Sequence, residues 1–467
     1  MDNSDNGPSI GGETKEFGSR FGYIMVAAGA AIGLGNIWKF PYIAYGDGGG
    51  TFLIIYIIIC FLLGQPAILA ETAVGRFSRA NAIDSYKNIN SKWAFLGVLM
   101  TLTTLMIDFY YMIVSGYVLK YTVAYITATD FGPDKAAYYN AFISDPVEPL
   151  VYGALVIALT GVILAAGITE KVEKLCKVIL PALLVLLIIC GVWALRISPG
   201  AVDGLKFYLI PNLSKLNATT FADGCMQVMF SAGIGWAIFI TLGANVSDSH
   251  NLRHDSTWVI VCDTAIAILA GFVIIPSVVG AGSKMDSGPS LIFLAMTSIF
   301  EKFPGGQIIG LFFFLSLIFA VFSTCFTIVE IPVMVVQEKF HMSHKAATAF
   351  TSLIIFIFGI FCSLSQGDGL LSGVMIPWFD FKDGIVHYNI YDWIDTCSAY
   401  VGLPLGVLLN AIFVSKVWGW DNLDAEIRKG GGTPVRAYDK FTIQYAVPIL
   451  CIIVILYAFR FDRLIFH

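Results

Sequence analysis

Two adjacent hydroxyls, Ser323 and Thr324, sit in the middle of an apolar stretch, directly after Phe319-Ala320-Val321-Phe322. Hydroxyls within a membrane helix usually bond back to carbonyls of their own helix. Beside a helix whose backbone is interrupted, they also supply hard oxygen ligands of the kind an alkali cation requires, since sodium, like calcium, prefers oxygen. Four acids, Glu71, Asp108, Asp263 and Glu330, likewise lie inside otherwise apolar runs. An ionisable group at that depth is costly and marks a functional site by default. The structural alternative is a hydrogen bond to a broken helix, with the carboxyl protonated. That alternative suits Glu71 and Glu330, whereas Asp108 and Asp263 read as functional.

Interrupted helices are what the glycines point to. Ala28-Gly29-Ala30-Ala31-Ile32-Gly33-Leu34-Gly35-Asn36 lies in the first apolar segment and Phe230-Ser231-Ala232-Gly233-Ile234-Gly235-Trp236-Ala237 in the sixth. Small residues also let two helices pack closely. Clusters at corresponding positions, five segments apart, favour unwound helices in a transporter built from inverted repeats.

The elements that would position these groups are membrane helices. The hydrophobic set makes up 57% of the 467 residues and charged residues only 13%, against about 25% charged in soluble proteins. No basic stripe or nucleic-acid motif occurs, and the net charge of −5 says little by itself. The polar start, Met1 to Glu16, has no signal-peptide pattern. The nine cysteines lie in or beside apolar segments without C-x-x-C spacing, which argues against a disulfide framework or a zinc site. About 20 apolar residues span a bilayer as a helix. Eleven such spans are expected, at 21–46, 51–76, 93–124, 150–168, 173–198, 222–249, 257–282, 306–340, 345–365, 389–414 and 441–460. Open sheet edges are excluded from lipid, so the fold class is an all-α polytopic membrane protein. Pro289 to Pro304 is too weakly apolar to span and reads as a surface hairpin. With the N-terminus inside, 17 of the 28 Lys and Arg fall on inner segments, which favours a cytoplasmic N-terminus. Eleven spans then leave the C-terminus outside.

Gly33-Leu34-Gly35-Asn36-Ile37-Trp38-Lys39-Phe40-Pro41-Tyr42, followed by Gly48-Gly49-Gly50, resembles the first-helix signature of the neurotransmitter:sodium symporter family. The resemblance continues through Glu71, Gly75-Arg76, Tyr110-Tyr111, Phe230-Ser231 and Ser323-Thr324, and covers nearly the whole chain from Phe17 onward. It implies two inverted five-helix repeats with helices 1 and 6 broken, plus an eleventh span. The corresponding divisions are a cytoplasmic tail at 1–16, a first repeat at 17–200, a second at 201–420, and a cytoplasmic loop with span 11 at 421–467. It also implies sodium-coupled import of an amino acid across the inner membrane, with two sodium ions and no enzymatic activity.

Carried over position by position, one sodium falls on Gly29, Ile32, Ala320, Ser323 and Thr324, and the other on Ala31, Asn36, Ser231 and Asp263. The substrate carboxylate completes the second set, so ion and amino acid stabilise each other reciprocally. That carboxylate is expected at the N–H groups of Leu34 and Gly35, at a half-helix N-terminus suited to an anion, and at the Tyr111 hydroxyl. The ammonium is expected at carbonyls around Ala30, Phe230 and Ser231. Ile107, Asp108, Phe230, Gly233, Trp236, Thr324 and Ile328 would face the side chain. Aminergic members carry aspartate where Gly33 stands, so an α-amino acid is favoured over a biogenic amine. Asp108 would need a polar partner, and Trp236 offers an aromatic wall, which ranks aromatic, donor-bearing substrates first and cationic ones second. Asp108 could instead bond Ser323, Thr324 or water.

No chloride requirement is expected. Tyr56, Gln227 and Ser231 match the family's anion site, but a serine becomes Ala267, and Asp263 supplies a carboxylate where asparagine is usual. The outer gate falls on Lys39 and Asp395, with Phe230 and Tyr111 as a lid beneath. The inner gate departs from the pattern: Thr14 and Asn245 replace an arginine and a tyrosine, and only Glu338 keeps its acidic role, with Lys15 as a substitute partner. The partners implied are the amino acid and the lipid bilayer, with no nucleic acid and no obligate protein. Proton-driven transport on a related fold and a non-transporting amino acid sensor are the rival readings.

Overall fold

The computed structural model describes residues 16–167, 171–197, 200–280, 291–302, 304–381 and 383–460. Eight helices within it are long and apolar enough to cross a membrane. In the numbering used below these are α3 (Gly50–Ser78), α4 (Ser91–Ile126), α6 (Glu173–Arg196), α9 (Leu252–Gly280), α10 (Gly306–Lys339), α11 (His344–Leu364), α12 (Ile390–Trp418) and α13 (Ala437–Ala458). They match the expected spans 2, 3, 5 and 7 to 11 within a few residues.

The other three expected spans are shorter or interrupted. The first is α1 (Arg20–Ala31) and α2 (Gly35–Gly46), bent by 56°. The fourth is α5 (Glu148–Leu164), which at 17 residues falls just short of the other spans by itself, and it meets the helix Lys135–Ser144 at 72°. The sixth is α7 (Ala218–Ser231) and α8 (Ile238–Gly243), separated by turns.

Each break has a local cause. Ile32 caps α1 in an extended conformation, and the Gly33 N–H leaves the helix to donate to the Asn36 side-chain oxygen at 3.0 Å. Between α7 and α8, Gly233, Gly235 and Ala237 have φ of 69°, 82° and 64°. Glycine adopts that left-handed region freely and alanine at a cost. Small residues also bring elements together: a Cβ on Gly75 of α3 would stand 2.1 Å from the Ile240 carbonyl oxygen of α8.

α10 packs along α4, α6 and α11, and α9 packs against α1 and α6. The sixth span packs in turn against α3, with α8 also touching α10 and α7 touching α13, so continuous helices flank both broken spans. Their backbone groups, freed from helical bonding, are buried within protein, the condition for irregular backbone at membrane depth.

One expectation needs correction. The described part of the 289–304 stretch is helical, with Leu291–Met296 and Thr297–Lys302 in sequence, and it is not superficial. Phe293 is fully buried, with its ring centroid 4.8 Å from that of Tyr121 and 5.6 Å from that of Tyr139. Aromatic packing holds this segment against the bundle although it is too short to span. The fold also contains a two-stranded antiparallel hairpin, β1 (Ile376–Asp380) and β2 (Gly384–Tyr388), between α11 and α12.

Candidate functional site

The oxygens expected to hold one sodium lie together. Thr324 Oγ1 is 3.3 Å from the Gly29 carbonyl and 3.2 Å from that of Ile32. Ser323 Oγ is 3.5 Å from the Ile32 carbonyl and 2.9 Å from that of Ala320. Two carbonyls from the end of α1 therefore meet one carbonyl and two hydroxyls of α10, all buried. The approach depends on glycine, since a Cβ on Gly29 would stand 3.0 Å from Ser323 Cβ.

The second set centres on a carboxylate. Asp263 Oδ1 accepts from Asn36 Nδ2 at 2.7 Å and Ser231 Oγ at 2.9 Å, and Oδ2 from Tyr56 at 3.4 Å. Gln227 Nε2 donates to the Gly35 carbonyl at 2.9 Å. Four elements, α2, α3, α7 and α9, thus converge on one fully buried acid. Ala31 closes α1 at the edge of the same break.

Between the two sets, the Leu34 N–H donates to the Tyr111 hydroxyl at 3.3 Å, joining two groups expected to meet a substrate carboxylate. A Cβ on Gly33 would lie 2.8 Å from both Tyr111 Oη and Thr324 Oγ1, leaving no room for a side chain. Phe230 covers Gly35, whose Cβ would stand 2.8 Å from its ring. The Phe230 and Trp236 rings meet at 5.3 Å and 63°. Gly233 faces the Ala30 carbonyl, which a Cβ there would meet at 4.0 Å.

Asp108 belongs to a buried stripe on α4, Thr104, Asp108, Tyr111 and Ser115, spaced by three and four residues. Thr104 Oγ1 donates to the Trp236 carbonyl at 2.5 Å, Tyr111 meets Leu34, and Ser115 lies 3.9 Å from Cys325 Sγ. Asp108 is therefore flanked above and below by residues that touch the broken helices and α10. Neither of its oxygens has a hydrogen-bond partner among the described residues, so the bonds to Ser323 or Thr324 weighed above are not made. Ile107 and Ile328 are fully buried on α4 and α10.

The acids assigned structural roles behave differently from each other. Glu71 Oε1 accepts the Gly235 N–H at 2.8 Å, a bond to the broken sixth span. Glu330 Oε2 has no hydrogen-bond partner among the described residues, and His344 Nε2 stands 3.8 Å away.

At the expected outer gate, the direct Lys39–Asp395 ion pair is not formed. The Lys39 ammonium lies 4.5 Å from the Phe230 ring centroid and 5.4 Å from that of Tyr400. A compact ammonium on a flexible stem can seat on aromatic faces. At the expected inner gate, Glu338 bonds to Asn81, and the Asn245 carbonyl accepts the Phe17 N–H at 3.3 Å. Thr14 and Lys15 lie outside the described residues. The start of α1 is held by contacts the sequence reading missed: Arg20 pairs with buried Asp255 at 2.6 Å, and Glu173 accepts from the Gly18 N–H at 2.9 Å and the Ser19 hydroxyl at 3.3 Å. Thr104 and Tyr400 were missed as well. Thr104 stands one turn from Asp108 on the same face, a spacing that would have found it; nothing in the sequence pairs Arg20 with Asp255.

Residues 14–132 and 148–463 match the model of the sodium:neurotransmitter symporter family. The chain is 30% identical over 448 residues to an uncharacterised sodium-dependent transporter, YhdH, of Bacillus subtilis, covering 94% of this chain and 97% of that one. It is 26% identical to the sodium- and chloride-dependent GABA transporter 2 of Bos taurus, covering 90% of this chain and 78% of that one. Among solved structures, MhsT in complex with L-phenylalanine is similar at a TM-score of 0.86 and 32% identity, covering 95% of this chain and all of that one.

Proposed function

Since the chain belongs to the sodium:neurotransmitter symporter family, a family of membrane transporters and not of enzymes, we propose that it imports an amino acid together with two sodium ions by alternating access. The observation that carries this reading is the meeting of five oxygens from Gly29, Ile32, Ala320, Ser323 and Thr324 at the break of the first span. An alkali cation requires such a set of oxygens, and the break lies beside the groups for a substrate carboxylate. The second ion takes Asn36, Ser231, Asp263 and the Ala31 carbonyl, with the substrate carboxylate as a shared ligand.

The proposed import runs across the inner membrane with a cytoplasmic N-terminus. Residues 17–200 and 201–420 act as inverted repeats whose broken members, spans 1 and 6, carry the site. Asp263 supplies the negative charge that chloride brings elsewhere, supported by its contacts to Tyr56 and Ser231. The substrate is an amino acid with an aromatic, donor-bearing side chain, supported by Asp108, which has no hydrogen-bond partner among the described residues, and by the Phe230–Trp236 wall. The phenylalanine complex of MhsT agrees with an amino acid of that size.

The test is uptake of radiolabelled amino acids into proteoliposomes. Uptake is expected with an inward sodium gradient and absent when potassium replaces sodium. The double variant Ser323→Ala, Thr324→Ala removes two of the five oxygen ligands and should raise the sodium concentration for half-maximal uptake by about tenfold or more, a change of ~1.4 kcal/mol. Unchanged sodium dependence in that variant refutes the site, and uptake driven by a proton gradient alone refutes the coupling.

A further inference from the structure

The hairpin β1–β2 has apolar residues on both faces. Its register pairs Trp378 with Val386 and Ile376 with Tyr388 on one face, and Phe379 with Ile385 and Pro377 with His387 on the other. The first face is packed. The Trp378 ring stacks on Phe459 at 5.2 Å and 5°, and its indole N–H donates to the Ala458 carbonyl at 3.3 Å. The Phe381 N–H donates to the Phe459 carbonyl at 2.9 Å. The hairpin is thereby fixed to the end of α13.

The second face is open. Phe379 is 51% and Ile385 66% exposed, and Phe381, whose ring centroid lies 5.0 Å from that of Phe379, is exposed as well. A two-stranded hairpin is marginal in water, and an antiparallel ribbon packed on one side normally turns polar residues outward. A contiguous apolar patch marks an interaction surface.

The neighbouring element identifies the occupant. α13 is the least buried of the eight long helices, 28% over its most apolar window. It exposes Ile449, Ile452, Ile453 and Leu456 along the outside of the bundle. These residues belong in lipid, and the hairpin sits against the end of that helix through Trp378 and the Phe381 N–H, which meet Ala458 and Phe459. Aromatic side chains are enriched at the two interfaces of a bilayer, and amphipathic segments bury an apolar face at the headgroup boundary. We propose that the Phe379–Ile385 face of the hairpin is a lipid-contacting surface seated at the membrane–water boundary. The chain runs from Tyr388 directly into the helix bearing Asp395, so this seat fixes the outer end of α12.

The experiment uses the full chain in lipid nanodiscs. Cys262 and Cys397, the two native cysteines that are not fully buried, are replaced by serine. Phe379→Cys or Ile385→Cys is then labelled with an environment-sensitive nitrobenzoxadiazole, with Asp368→Cys, an exposed polar loop position, as the aqueous reference. Labels at 379 and 385 should show blue-shifted emission, quenching by lipids carrying a nitroxide near the headgroup, and loss of the iodide quenching seen at 368. The two positions are cross-strand partners, so they must agree. Iodide quenching equal to that at 368 overturns the proposal, as does protection from both quenchers, which would place protein, such as a second copy, on this face.

Discussion

At Asp263, one carboxylate gathers the Asn36 amide, the Ser231 hydroxyl and the Tyr56 phenol. On the proposed reading, a fixed negative charge in that ring of donors holds the cation more tightly than a neutral amide would and takes the place of a mobile anion. Wild-type uptake should therefore persist when gluconate replaces chloride, and Asp263→Asn should abolish uptake or make it chloride-stimulated. Collapse of the wild type in gluconate disproves the argument. Asp108 poses the complementary question, because it is buried without a hydrogen-bond partner among the described residues, on the stripe that touches both broken spans. A substrate donor reaching it forms a charge-assisted bond of about 1.5–3 kcal/mol. In competition assays, Asp108→Ala should weaken tyrosine, tryptophan or histidine by about tenfold or more relative to leucine. If leucine or alanine outcompetes every donor-bearing amino acid and the variant keeps that ranking, Asp108 has no part in selection.

Broken helices need external support, since the N–H groups they release are costly when buried without partners. Glu71 of α3 provides it for the sixth span by accepting the Gly235 N–H. Glu71→Ala orphans that group at a cost of about 1–3 kcal/mol and should lower both the melting temperature and uptake. Glu71→Gln retains an acceptor oxygen and should lose less of each. Equal losses in the two variants would show that the carboxylate matters for a reason other than this bond. In the first span, Asn36 plays the corresponding part from within the chain, its side-chain oxygen taking the Gly33 N–H.

Across the whole molecule, long-range contacts fasten one side of the bundle around a single arginine. Arg76 of α3 is fully buried, donates to the Glu426 carboxylate at 2.9 Å and to the His250 carbonyl at 2.8 Å, and also bonds the Glu426 carbonyl. It thereby joins the end of α3 to the loop before α9 and to the short helix Trp420–Arg428. Removing Arg76 leaves the buried Glu426 carboxylate with Lys429 alone among the described residues, 2.6 Å from its Oε1, and orphans the two carbonyls, at a cost of about 1–3 kcal/mol for each buried group left unsatisfied. Arg76→Leu should therefore lower the melting temperature strongly, and Arg76→Leu with Glu426→Leu should recover part of the loss. A double variant no more stable than the single one would count against charge burial as the cause.

The sequence by itself determined the solvent and the helices, because apolar run length is a property of the chain alone and lipid permits little but helix along such runs. It also located both breaks, since clustered glycines weaken a helix wherever they fall, and the signature from Gly33 to Tyr42 supplied the residues expected around them. The tertiary structure decided which groups face one another. That Lys39 rests on Phe230 and Tyr400 instead of pairing with Asp395, that Arg20 meets Asp255, and that Phe293 plugs an aromatic core all depend on contacts between segments far apart in the chain. The hairpin at 376–388 belongs with these: its alternation spans only five residues per strand, and it is fixed by packing on the end of α13, a surface that exists only once the helices have assembled.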